Sequence, residues 1–263
     1  EERTGMKEIL LQYITPGTRL SAAFLSDAVR KSMESNRIPP EEAEFVGKTE
    51  CLCACLVSGR KEETATVSVS VTDAANGRRF TAVCEKDGRV RACADSVDRG
   101  VIRNGVILAV TQKLQVRGDY SSVVTASTLD DAVTEYFHSS QQVRAKSVTL
   151  RLEDGYAAVL CERFPITEPE HRVYDEDADR MFARMDILRQ TAHTQEDLFC
   201  ALEDLEKTGE TPLRFGCTCT KRSVRAALAG LTEDELRAAR QEDGTVEVRC
   251  KHCGKVFRLE VDL

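Results

Sequence analysis

Four cysteines stand in two tight pairs late in the chain: Cys217-Thr218-Cys219, then thirty residues, then Cys250-Lys251-His252-Cys253. Cysteine thiolates are soft ligands, and two close pairs supply the tetrahedral set that zinc prefers. The first pair is C-x-C, whereas zinc ribbons more often carry C-x-x-C. Thiolate is also the form of cysteine that oxidants attack. The set is therefore a candidate switch as well as a candidate staple for a small module. A segment of this size has too little core to fold alone, so a metal would supply much of its folding free energy.

The other seven cysteines are Cys51, Cys53, Cys55, Cys84, Cys93, Cys161 and Cys200. A secreted disulfide scaffold is disfavoured, because the chain is long enough to fold without staples and four of its thiols have ligand spacing. A reducing compartment is expected, cytoplasmic or, since the chain opens at Glu1 and not Met, an organelle matrix. Cys51, Cys53 and Cys55 alternate, but their surroundings read as helix. Cys51 and Cys55 would then share a face while Cys53 points elsewhere, as small buried residues. His252, inside the second pair, is expected to be solvent-exposed, with four thiols already available. Lys221, Arg222 and Arg225 read as a solvated helix face. His138, His171 and His193 lie in unrelated segments, and no nucleophile elbow, P-loop, dinucleotide glycine fingerprint or H-E-x-x-H occurs. The chain is expected not to be an enzyme.

Composition sets the frame for these residues. The chain has 263 residues, 41% of them hydrophobic, no Trp and only 5% aromatics, so its core should be aliphatic. A net charge of −7 argues against a nucleic-acid partner. Residues 164–216 hold thirteen Asp and Glu against six Lys and Arg, which is the whole imbalance. No apolar run approaches the length of a membrane span, so no membrane partner is expected.

The pattern along the chain predicts an α+β protein. Met6–Ile14 reads as a short helix or an extended lead-in, Leu20–Leu25 as a strand, Ser26–Asn36 as a capped helix and Glu41–Val57 as a second helix closed by Gly59. Period-two alternation then gives a strand at Val67–Val71; after the turn at Asn76-Gly77, strands at Phe80–Cys84 and Arg89–Ala94 flank a turn at Asp87-Gly88, Asn104-Gly105 precedes the apolar strand Val106–Val110, and Tyr120–Thr125 is another strand. A helix capped by Ser127 or Thr128 runs to about Ser140, then a hairpin of Ser147–Leu152 and Tyr156–Cys161. Residues 174–190 and Thr194–Lys207 read as helices, the second opened by a near capping box. Past Gly209 and Pro212, the last segment predicts helices at Lys221–Ala229 and after Thr232, and strands at Thr245–Val248 and Lys255–Val261. The expected division is an N-terminal mixed-sheet domain with packed helices at 1–163, a helical connector at 164–216 and a small zinc-binding module at 217–263.

Phe215-Gly216-Cys217-Thr218-Cys219, Gly230-Leu231-Thr232-Glu233-Asp234-Glu235-Leu236, Glu242-Asp243-Gly244 and Cys250-Lys251-His252-Cys253-Gly254 together resemble the C-terminal module of the heat-shock protein 33 family. Upstream, Glu135-Tyr136-Phe137, Ser140-Gln141-Gln142 and Asp87-Gly88-Arg89-Val90-Arg91 are similar to family signatures. Departures are Gln141 where the family usually has Glu, Arg144 where it usually has Pro, Asp73-Ala74-Ala75-Asn76-Gly77 in place of a Gly-Pro-rich turn, and Ala92-Cys93 where Gly-Tyr is common.

The resemblance implies a redox-regulated, ATP-independent holdase chaperone. Reduced, it would hold one zinc through Cys217, Cys219, Cys250 and Cys253. Oxidised, it would form Cys217–Cys219 and Cys250–Cys253 disulfides, release the zinc and let the connector unfold. Met181, Phe182, Ile187, Leu188, Leu198, Phe199, Leu202 and Leu205 would then meet unfolded client proteins, with a homodimer forming on activation. A second reading from a different class is a zinc-ribbon adaptor for nucleic acid or the translation machinery. It predicts a basic, aromatic surface around the metal, for which the module offers only Phe215 and Phe257 and nearly balanced charge.

Overall fold

The computed structural model describes residues 7–74, 77–97, 105–114, 118–165 and 171–260. The N-terminal lead-in is extended: β1 (Ile9–Ile14) forms a hairpin with β2 (Thr18–Leu25). Helix α1 (Asp27–Asn36), a single 3-10 turn and helix α2 (Ala43–Ser58) follow. Strands β3 (Thr66–Asp73), β4 (Arg78–Glu85), β5 (Arg89–Ser96), β6 (Val106–Leu114) and β7 (Gly118–Ala126) come next. Asn76 and Asn104 of the predicted turns, and Met6, lie outside the described residues. Helix α3 (Leu129–Tyr136) continues into a π-helical turn over Phe137–Gln141, and β8 (Ala145–Arg151) and β9 (Tyr156–Arg163) close the N-terminal part.

Two sheets result. One is fully antiparallel with order β10-β1-β2-β9-β8, where β10 is Glu206–Pro212. The other has order β11-β5-β4-β3-β6-β7, antiparallel except for the parallel pair of β11 (Arg214–Phe215) with β5. Helix α2 lies between them, touching β2, β8 and β9 on one side and β3, β4 and β5 on the other. A helix enclosed on all sides needs no polar stripe, and from Cys51 to Ser58 every α2 residue is buried. The alternating thiols divide as helix geometry requires. Cys51 donates to Tyr156 O at 3.3 Å and Cys55 to Ala158 O at 3.3 Å in the first sheet, while Cys53 donates to Val67 O at 3.2 Å in the second.

The connector departs from the sequence expectation in its second half. Helices α4 (His171–Thr191) and α5 (Gln195–Cys200) form, the latter under a complete Thr194/Asp197 capping box. The predicted helix to Lys207 stops at Cys200, and 206–212 runs as β10 along the open edge of β1. Gly209, the flanking threonines and Pro212 are poor helix formers, and the unpaired edge offers their backbone groups partners. Gly59 closes α2 at φ −69, without a left-handed turn; that conformation belongs to Arg37 after α1, at φ 52.

Helices α4 and α5 cover the outer face of the first sheet. Met181, Met185, Leu188, Leu198 and Leu202 join Ile9, Leu11, Phe24, Val148 and Val159 in one apolar cluster, with Phe182, Phe199 and Leu205 packed at its margin. Ile187, predicted to share this face, is 62% exposed. Its place in the helical period carries it to solvent between Asp186 and Leu188. The C-terminal segment contains α6 (Lys221–Leu228), α7 (Glu233–Ala239) and the hairpin of β12 (Thr245–Arg249) with β13 (Val256–Glu260).

Candidate metal centre

The module's local folding is written in its caps and turns. Thr220 accepts from Ser223 N and opens α6 directly after Cys219; Thr232 and Glu235 form a capping box for α7. Its buried apolar core is Val224, Phe257 and Leu259, with Cys219, Cys250, Leu228 and Val248 packed beside it. The second cysteine pair sits on a knuckle closed by Gly254 N to Cys250 O and Cys250 N to Lys255 O, both at 2.9 Å. Gly254 takes φ +68, and a Cβ there would stand 2.6 Å from Ser35 O of the N-terminal domain. Both facts restrict the position to glycine.

These elements bring all four predicted sulfurs together, each within 4.8 Å of the others. Cys217 Sγ is 3.8 Å from Cys250 Sγ, and Cys219 Sγ is 3.4 Å from Cys253 Sγ. Zinc–sulfur bonds of about 2.3 Å in a tetrahedron place sulfurs about 3.8 Å apart, so the donor set fits that ion. The cluster comprises the four cysteines without His252.

The surroundings act unequally on the thiols. Burial pushes the Cys217 thiol up, with Arg91 acting against it. Burial and then the neighbouring thiols push Cys219 well up. At Cys250 burial is outweighed by backbone N–H donors from His252 and Cys253, and the thiol falls below its ordinary value. Four crowded sulfurs cannot all be thiolates unless positive charge sits among them.

His252 is less exposed than expected, being only partly open to solvent. Its Nδ1 is buried and unpartnered among the described residues, and burial, reinforced by Arg91, lowers its pKa to about 4. The reason is docking, which sequence reasoning missed. The Asn36 side-chain amide lies 3.0 Å from His252 O and 2.9 Å from Ala92 O. Lys251 pairs with Asp95 at 2.9 Å, and Arg249 donates to Ser35 O at 3.2 Å. Arg91 donates to Gly216 O at 3.2 Å and pairs with Glu85 at 2.8 Å. The period-two pattern of β5 carried the signal: Arg91, Cys93 and Asp95 alternate with the core residues Val90 and Ala92, and so share its other face.

The remaining candidates lie apart. Cys51, Cys53, Cys55, Cys84 and Cys161 are buried in the N-terminal domain, and Cys200 is exposed on the connector. Among the described residues no helix is long and apolar enough to cross a membrane.

Comparison with known proteins matches this arrangement. A protein of Proteus mirabilis named 33 kDa chaperonin is 25% identical over 179 residues, 61% of this chain but only 59% of the relative. One of Agathobacter rectalis with the same name is 21% identical over 276 residues, covering 93% of each chain. The crystal structure of the 33 kDa chaperonin from Thermotoga maritima superposes with a TM-score of 0.72 at 17% identity, over 97% of this chain and 95% of that one, and so shares its fold. A family profile described as Hsp33 protein matches residues 10–260, from the first strand to the end of the last, and the chain belongs to the Hsp33 family.

Proposed function

We propose that this chain is an ATP-independent holdase chaperone switched on by oxidation of a zinc centre at Cys217, Cys219, Cys250 and Cys253. The observation that carries the reading is the convergence of these four sulfurs within 4.8 Å of one another in a module whose core cluster holds three buried apolar residues. Zinc, when bound, holds the four sulfurs as thiolates and supplies much of the module's folding free energy. The chain's residues do the rest. The module rests on β5 and on the end of α1, and the preceding strands β11 and β10 tie the connector to both sheets.

Loss of two electrons from each sulfur pair would give Cys217–Cys219 and Cys250–Cys253 disulfides, since partners two or three residues apart need only a local turn to bond. Without its metal the module loses its hold on the domain beneath. The connector, 164–216, is acidic and built of short elements, so its fold depends on packing against that domain. Its release would expose Met181, Leu188, Leu198 and Leu202 together with the sheet face they cover, a surface suited to unfolded clients. Two activated copies would associate through part of the same surface. Zinc content before and after peroxide, with aggregation of a heat-denatured client followed alongside, tests the reading. Full zinc retention in a protein that has gained holdase activity would overturn it.

A further inference from the structure

The face of β5 beneath the metal module carries three alternate residues, and all three face the module. Arg91 reaches Gly216 O, one residue before the first cysteine pair, and Asp95 holds Lys251 inside the second. Between them stands Cys93, 5% exposed. The Asn36 amide touches Ala92 O and His252 O together, within 3.0 Å of each, so the backbone beside Cys93 and the knuckle carrying Cys250 are adjacent. Lys251 and Cys250 are near enough for their charges to act on the Cys93 sulfur.

We propose that Cys93 is a fifth redox thiol of this protein, which captures oxidised Cys250 in a Cys93–Cys250 disulfide linking the N-terminal domain to the metal module. The inference rests on the redox reading above. Cys250 thiolate gives two electrons to hydrogen peroxide and becomes a sulfenic acid, releasing hydroxide. The Cys93 sulfur then attacks the Cys250 sulfur, the S–O bond breaks, and the oxygen leaves as water with the thiol proton. In total, two thiols and one peroxide give one disulfide and two waters.

Cys93 is 5% exposed, so oxidant in solution has little access to it. Its reaction is instead with a neighbour held beside it, where proximity replaces intrinsic reactivity. Cys253 competes for the same Cys250 sulfur. The two products differ in consequence: Cys250–Cys253 frees the knuckle, whereas Cys93–Cys250 leaves it tied to β5. This partition would set how much of the oxidised protein opens.

The test is a disulfide map of the full-length, zinc-loaded chain after limited hydrogen peroxide, by alkylation and non-reducing peptide mass spectrometry. Zinc release is followed with a chromophoric chelator. The expected result is a Cys93–Cys250 peptide in the wild type that accumulates as zinc is released. Cys93→Ser and Cys93→Ala should both lack it and convert more Cys250 to the Cys253 link. If Cys93 is recovered fully alkylated in the wild type while Cys217–Cys219 forms and zinc leaves, this inference falls and the redox reading stands. If no module cysteine oxidises and zinc stays bound, both fall.

Discussion

Asn36 and His252 lie 216 residues apart in sequence, yet the side-chain amide of the first is 3.0 Å from the carbonyl oxygen of the second. The same nitrogen reaches Ser32 O and Ala92 O, so the end of α1, strand β5 and the metal knuckle meet at one atom. Asn36→Ala removes this junction without touching a metal ligand. A lost hydrogen bond of about 1 kcal/mol corresponds to a roughly five-fold shift in docking. Hydrogen exchange should rise across 250–254, and zinc release under peroxide should quicken to a similar extent. Unchanged exchange in the knuckle would mean that the remaining contacts hold the module unaided.

Replacing one ligand should be far costlier. Structural zinc sites bind with about 10–16 kcal/mol spread over four ligands, so Cys250→Ser should weaken zinc binding on the order of 100-fold or more. Equilibrium competition with a chelator measures it. Full occupancy at sub-micromolar free zinc in that variant would show that the site lies elsewhere.

Leu202 is 1% exposed in the cluster under the connector. Leu202→Asp places a charge there at a cost of several kcal/mol, more than a short helical segment can withstand. Exchange should rise first across 174–207, ahead of β3 and β6, and the variant should suppress client aggregation without oxidant. A variant that opens locally and still fails to protect a client would show that connector exposure is not the activating event.

Arg144 ties the same connector from the other side. It pairs with Asp175 at 3.0 Å and Asp179 at 2.6 Å on α4 and lies 5.5 Å from the Phe182 ring centre. The site is nearly half exposed, so Arg144→Ala should cost only about 1 kcal/mol. The oxidant dose for half-maximal holdase activity should fall, with zinc affinity unchanged. An unaltered dose response would place the controlling contacts elsewhere.

Glu50 gives the protein a pH dependence of its own. It is wholly buried on α2, accepts from Ser32 Oγ at 2.5 Å, and has no partner for its other oxygen among the described residues. Burial raises its pKa from 4.5 to about 8. The folded form therefore holds a proton that the unfolded form has lost, and stability falls as pH rises from about 5 to about 8, by at most about 1.4 kcal/mol per pH unit. Glu50→Gln should flatten this slope and leave the variant more stable than wild type at pH 8. Denaturant melts at pH 5.5 and 8 measure both, and parallel losses in the two proteins would refute the assignment.

Much of this was legible in the sequence, for identifiable reasons. The strand Val67–Val71 announces itself by strict alternation, and Thr194 and Thr232 by their capping partners. The four clustered cysteines are visible because metal-ligand spacing is a local property. Contacts between distant segments were not. Residues 206–212 carry no strong strand signal; β1's open edge decides their conformation. His252 reads as a surface residue until the module is seen resting on Asn36 and β5. Glu50 reads as one more helical glutamate until both sheets close around α2.

Strand β10 has one further consequence. It borders β1 from Ile9 opposite Pro212 to Ile14 opposite Glu206, with one shift of register between Gln12 and Tyr13, and ends the first sheet on that side. A connector that lets go thus uncovers two different things: a greasy face, which takes side chains of any sequence, and a bare row of β1 amides and carbonyls, which takes any extended backbone. Neither reads sequence, and both vanish when the segment returns. The piece of chain that blocks the edge is itself an extended strand, so on the proposed function it would serve at rest as a stand-in for a client.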